Sequence, residues 1–153
     1  MPVNKPDSVL PRNYMENIPY IAVFREVQRQ EIIKLWETCG LLFPGNDPDY
    51  DINLKIEFQP ELFFILVIGS RVTGSVMAGF DGHRGWLNYL CVHPDFRNMG
   101  HGRALILHAV QKLKDSGCPK VNIQIRKSNT GVIEFYKKTG FYPHDVICMQ
   151  LKI

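Results

Sequence analysis

Nowhere in this sequence do two cysteines stand at C-x-x-C spacing. Cys39, Cys91, Cys118 and Cys148 are scattered, and no cysteine and histidine fall at the intervals of a zinc site. A disulfide framework is therefore not expected, and reduced thiols are. Long apolar runs are missing too. Residues 1–18 carry Pro2, Pro6 and Pro11 and alternate polar with apolar side chains, which gives no signal-peptide core. No stretch approaches the ~20 apolar residues that cross a bilayer. Charge of one sign is scarce: the formal net charge is +3 with no concentrated basic run, so nucleic acid is not an expected partner. Neither G-x-G-x-x-G nor G-x-x-x-x-G-K-[ST] occurs, which argues against the common nucleotide-binding loops. What remains is a 153-residue chain with 45% hydrophobic and 22% charged residues, the composition of one soluble cytoplasmic domain without membrane contact.

Its patterning predicts strands interleaved with helices. Residues 20–24 read as a first strand. Residues 28–39 read as a helix, with Ile32, Ile33, Leu35, Trp36 and Cys39 apolar and Gly40 as its stop. Asp47 followed by Pro48 marks the start of a second helix. Residues 62–68, 72–80 and 86–92 form a strand meander, joined by turns at Gly69 and Ser70 and at residues 81–85. On the last of these strands, strict alternation puts Trp86, Asn88, Leu90 and Val92 on one face and Leu87, Tyr89 and Cys91 on the other. Leu105, Ala109 and Leu113 mark an amphipathic helix ending at Gly117. Residues 121–126 alternate as a strand, Asn129 caps a short helix closed by Gly140, and residues 146–151 read as a final strand. Residues 1–18 look like an arm without a core of its own, either disordered or packed on a partner subunit.

The most informative stretch leaves the strand at residues 86–92. Arg97, Asn98, Met99, Gly100, His101, Gly102 and Arg103 form an R-x-x-G-x-G turn into a helix. Paired glycines let the backbone turn sharply and approach a ligand, while the first N–H groups of the helix point outward and are partly positive. Such a loop suits a pyrophosphate. With the Asn129-led segment downstream, it resembles the GNAT superfamily of CoA-dependent N-acetyltransferases. The family segment V-x-P-x-x-[RQ]-x-x-G-x-[GA] is matched at Val92, Pro94, Arg97, Gly100 and Gly102. The segment N-x-x-A-x-x-x-Y-x-x-x-G-F is matched at Asn129, Tyr136, Gly140 and Phe141, with Val132 where the family usually has Ala. The resemblance covers residues 20–153, and the run at residues 77–85 is similar to that of the small YpeA-type bacterial acetyltransferases.

That resemblance implies an α/β (α+β) fold with a mixed, mainly antiparallel central sheet of about six to seven strands flanked by about four helices. One GNAT-like domain over residues 19–153 is expected, with two neighbouring strands splayed to hold the cofactor. It also implies acetyl-CoA as co-substrate without a metal, and an acetyl group passed to a primary amine by direct attack in a ternary complex. The backbone at Leu90 and Val92 would bond the pantetheine arm, residues 97–103 the pyrophosphate, and Asn129 an amide or phosphate group. Tyr136 falls where the family places its general acid; a phenol with a reference pKa of about 10 stays protonated at neutral pH.

Many relatives carry a glutamate on the strand before the loop, yet residues 86–92 contain no carboxylate. Asp81, His83, Asn88 and Asp47 are the remaining candidates for a base or an acceptor contact, although turn and cap chemistry also accounts for Asp81, His83 and Asp47. In the family the acceptor is set by regions that here carry Asp47, Asp49, Asp51, Glu57 and Asp145, which suit a cationic amine. A protein N-terminus, a lysine and a small amine all stay open as acceptors, as does a homodimer. The rival reading is a non-catalytic acyl-CoA-binding sensor or regulatory module: the missing strand carboxylate favours it and Tyr136 opposes it.

Overall fold

The computed structural model describes residues 17–153. Apart from its last two residues, the arm expected over residues 1–18 lies outside them. The chain divides into two units, Met1–Ile123 and Gln124–Ile153.

In the first unit the elements run β1 (Tyr20–Val23), α1 (Arg29–Thr38), α2 (Pro48–Glu57), β2 (Phe63–Ile68), β3 (Arg71–Phe80), β4 (Gly85–Val92), α3 (His101–Asp115) and β5 (Val121–Ile123). Their boundaries follow local chemistry. Asp47 accepts a hydrogen bond from the Tyr50 amide at 3.1 Å with Pro48 in the first helical turn, so α2 begins where the cap signal predicted. α1 buries Ile32, Leu35 and Trp36 and stops before Gly40, which adopts φ +70°.

The strands pair in the order β1-β2-β3-β4-β5, antiparallel except for the parallel β4–β5 contact. β2 is buried along nearly its whole length, which explains its unbroken apolar run. On one face Trp36, Ile32 and Leu35 of α1 and Ile52 of α2 pack with Phe63, Ile65, Val67 and Met77. α3 covers the other face, burying Leu105, Ile106, Ala109 and Leu113.

Close approach of α3 requires Gly74. A Cβ there would stand 3.0 Å from the Cys91 carbonyl oxygen and 3.0 Å from Leu105 Cδ1. The carbonyl belongs to a paired strand and cannot retreat, so Gly74→Ala overpacks the interface at a cost of about 1–3 kcal/mol. Urea denaturation should show a lower midpoint with an unchanged slope.

Five strands form among the described residues, fewer than the six to seven expected. Residues 146–151 make no strand, and Val146, Ile147, Met149 and Leu151 are exposed. β5 stops after three residues instead of six because only Gly85, Trp86 and Leu87 of β4 pair with it. The second unit holds one helix, α4 (Thr130–Lys138). Asn129 Oδ1 accepts from the Val132 amide at 3.4 Å at its start, and Gly140 follows its end at φ +98°.

Candidate active site

β4 is interrupted by a bulge. Met77 faces Asn88 but Ser75 faces Cys91, so two steps along β3 are matched by three along β4. The extra residue breaks the alternation expected from the sequence: Asn88, Tyr89 and Cys91 all lie toward α1, because a one-residue insertion exchanges the two faces beyond it. Tyr89 takes the strain, with φ +51°, a left-handed conformation costing a non-glycine residue roughly 1–2 kcal/mol. Three contacts hold it there. Ser75 Oγ donates to the Tyr89 carbonyl at 2.7 Å and accepts from Trp36 Nε1 at 2.9 Å, the Tyr89 ring stacks on Trp36 at 3.9 Å, and the hydroxyl donates to Asp51 Oδ2 at 2.5 Å.

Beyond Leu87, β4 has no neighbour on its β5 side within the first unit. The His93 amide bonds back to the Thr73 carbonyl at 2.8 Å, so the alternation of an antiparallel ladder turns the backbone groups of Val92 and Leu90 away from β3. They therefore face the open edge, the placement required for bonding an extended amide-bearing ligand. Part of that edge is already used: the Val92 carbonyl accepts from Arg97 Nε at 2.9 Å and from the Cys39 thiol at 3.5 Å. Cys91, adjoining, is buried; its hydrogen bond with Cys39 and its burial push its thiol up, which leaves it protonated.

At the end of this edge the chain makes a short helical turn at Pro94–Phe96 and enters the glycine loop. Asn98 at φ +61° and Gly100 at φ +83° both adopt left-handed conformations, and α3 begins immediately after. The Ala104 amide, bonded to the Gly100 carbonyl at 3.0 Å, closes the first turn, so the helix supplies no acceptor for the amides of His101, Gly102 and Arg103. No acidic residue sits in that turn, and Arg97 and Arg103 are exposed. Amide donors, helix dipole and two guanidinium groups make a cradle suited to a diphosphate. Met99, also exposed, completes the loop.

Asn129 and Tyr136 belong to the second unit, at the cap and on the buried side of α4. The Tyr136 ring meets Phe135 and Phe141 edge-on, at 5.5 Å and 5.3 Å. Burial pushes its phenol well above the ordinary tyrosine range, so it holds its proton at any physiological pH.

The other candidates lie elsewhere. Asp81 accepts from the amides of His83 and Arg84 at 2.8 and 2.6 Å and from Trp86 Nε1 at 3.3 Å, closing the β3–β4 turn. The Arg84 and His83 amides hold its carboxyl below the usual range, the opposite of what a base needs. The turn and the glycine loop stand at opposite ends of β4, roughly 20 Å apart at strand rise. Asp47 is spent on the α2 cap. Asn88 is exposed on β4 beside the bulge. Sequence reasoning missed Tyr89 as the residue that brings an aspartate to β4, because no local pattern marks a tyrosine for a left-handed conformation. Among the described residues no cluster of His, Cys, Asp and Glu could hold a metal ion, and no helix is long and apolar enough to cross a membrane.

The sequence model of the family described as Acetyltransferase (GNAT) family matches residues 22–141. A Yersinia enterocolitica protein named as an acetyltransferase is 46% identical over 129 residues, covering 84% of this chain and 92% of its own length. Among solved structures, the ribosomal-protein-S18-alanine N-acetyltransferase from Escherichia coli superposes with a TM-score of 0.67 at 21% identity, covering 80% of this chain and 77% of that one. AAC(6')-Iy in complex with the bisubstrate analogue CoA-S-monomethyl-acetylneamine superposes with a TM-score of 0.72 at 17% identity, covering 89% and 99%.

Proposed function

Because the chain belongs to the GNAT family of acetyltransferases, and is thereby an acetyl-CoA-dependent acyltransferase, we propose that it acetylates a primary amine by direct attack within a ternary complex. The observation that carries this reading is the open β4 edge running into an acid-free helix N-terminus. An amide-rich arm ending in a diphosphate needs that sequence of donors and acceptors. Leu90 and the Val92 amide serve the arm. Arg97, Asn98, Met99, Gly100, His101, Gly102 and Arg103 serve the diphosphate, and Asn129 adds a polar contact. The amine nitrogen bonds to the acetyl carbonyl carbon, the C–S bond breaks, and Tyr136 gives its proton to the departing sulfur while the amine releases one to water. Residues 19–153 act in this as one acetyltransferase domain, a reading supported by a family match that spans both units. The cytoplasm, where acetyl-CoA is made and used, is its proposed setting. Two superposing structures named for an alanine N-acetyltransferase and an acetylneamine analogue support an amine acceptor.

With no carboxylate on β4 and Asp81 committed to its turn, deprotonation falls to the amine and water. Thiol release from acetyl-CoA should therefore show a low-pH limb in kcat/KM that shifts with the intrinsic pKa across a series of related amines, from about 8 for an α-amine to about 10.4 for a lysine side chain. A limb fixed at one pH for every amine contradicts this and requires a protein base. Acetyl-CoA binding without thiol release on any amine favours the sensor reading.

A further inference from the structure

Two of the four cysteines meet at the end of β4, beside the glycine loop. Cys39 follows the last turn of α1 and packs against the buried cluster that contains Cys91 of β4. The Cys39 thiol donates to the Val92 carbonyl at 3.5 Å, and Arg97 Nε reaches the same oxygen at 2.9 Å, so a guanidinium stands beside the sulfur. Cys91 hydrogen-bonds to Cys39 and also lies 3.5 Å from Ser75 Oγ. Cys91 is buried, whereas Cys39 is only partly so. The two thiols are unequal in acidity as well. Hydrogen bonding from Cys91, and then from Arg97, holds the Cys39 thiol below its ordinary range, while the same contact together with burial pushes Cys91 up. A partly exposed thiolate beside an arginine, backed by a protonated thiol, pairs an attacking sulfur with a resolving one. Cys118 and Cys148 are placed differently: Cys118 bonds to the Lys120 carbonyl at 3.2 Å, and Cys148 accepts from Gln124 Nε2 at 2.6 Å.

We propose that Cys39 and Cys91 form a reversible disulfide when hydrogen peroxide reaches Cys39, and that this modification weakens acetyl-CoA binding. The effect on binding rests on the acetyltransferase reading above. The Cys39 thiolate attacks one peroxide oxygen, the O–O bond breaks, and a sulfenic acid forms as hydroxide leaves and takes up a proton. The Cys91 sulfur then bonds to the Cys39 sulfur, and the S–O bond breaks as its hydroxyl departs with the Cys91 proton. Two thiols and one peroxide give one disulfide and two waters. β4 yields to the new bond more readily than α1. Trp36 anchors α1 in the core and the Cys39 amide is fixed to the Leu35 carbonyl at 2.9 Å, whereas within the first unit β4 at Cys91 is paired on its β3 side alone. Two sulfurs in contact must close to about 2 Å, so Cys91 leaves Ser75 and draws Val92 toward α1. The Val92 carbonyl loses the Cys39 S–H in the same step and keeps Arg97, so the β4 edge and the start of the glycine loop shift together.

The test oxidises the whole chain with hydrogen peroxide and maps the products by peptide mass, while calorimetry measures acetyl-CoA affinity before oxidation, after it, and after dithiothreitol. The Cys39–Cys91 bond should form ahead of oxidation at Cys118 or Cys148, acetyl-CoA affinity should fall by about 10-fold, and dithiothreitol should restore it. By linkage, saturating acetyl-CoA should shift the pair toward its reduced form in a thiol–disulfide buffer. Cys91→Ala should halt the reaction at a Cys39 sulfenic acid that dimedone traps, and Cys39→Ser should leave Cys91 unoxidised. Both variants, reduced, should bind acetyl-CoA as the unaltered protein does. The proposal fails if Cys39 reacts no faster than Cys148, or bonds to a sulfur other than that of Cys91. It fails equally if the disulfide forms and affinity holds, or if affinity falls only together with the thermal midpoint, since the loss is then unfolding. Reduced, unaltered protein that does not bind acetyl-CoA overturns the acetyltransferase reading itself, a failure distinct from these.

Discussion

Tyr136→Phe is expected to lower kcat by about 10²- to 10⁴-fold while acetyl-CoA affinity stays close to that of the unaltered protein. The substitution keeps the ring and its edge-on contacts with Phe135 and Phe141 and removes only the hydroxyl. If the residue served packing alone, turnover would hardly change, so the two roles separate cleanly. The shift of the phenol adds a second signature. A general acid must be protonated, and burial moves the loss of that proton to higher pH, so no high-pH limb from Tyr136 should appear below about pH 10. Pre-steady-state measurement of thiol release checks both expectations. Equal rates for the two proteins on any accepted amine remove Tyr136 from the mechanism.

Much of this arrangement is legible in the amino-acid sequence, and where it is, the physics is local. The α1 and α3 helices announce themselves because burial recurs every three or four residues, at Ile32, Leu35 and Trp36 and at Leu105, Ala109 and Leu113. Caps are equally local: Asp47 and Asn129 reach amides three residues ahead. The glycine loop is legible because a left-handed turn feeding a helix needs Gly100.

What escaped depends on partners distant in the chain. Tyr89 and Asp51 are 38 positions apart, and nothing near either residue foretells their meeting. The bulge is set by Ser75 on the neighbouring strand, so the face assignment of Asn88, Tyr89 and Cys91 could not be read from β4 alone. The final strand failed for a related reason. Alternation at residues 146–151 describes a segment that would suit a sheet, but a strand forms only by pairing with another, and alternation alone does not supply that partner.

The glycine loop carries the other large effect, and Gly102→Val is its cleanest probe. Gly100 is the less suitable position because its φ of +83° makes any β-branched replacement strained by roughly 1–2 kcal/mol, mixing loop distortion with lost binding. Gly102 lies inside the first turn of α3, where valine is compatible with helix but its branched side chain covers the backbone approach. Losing two charge-assisted amide contacts, at about 1.5–3 kcal/mol each, predicts CoA affinity lower by about 10²- to 10⁴-fold. Pantetheine, which lacks the diphosphate, should bind both proteins alike through the β4 edge. Calorimetry with the two ligands makes the comparison, and an unchanged thermal midpoint confirms an intact fold. Undiminished CoA affinity in Gly102→Val would place the diphosphate elsewhere; an equal loss for pantetheine would mean that the substitution disturbs β4 rather than the helix terminus.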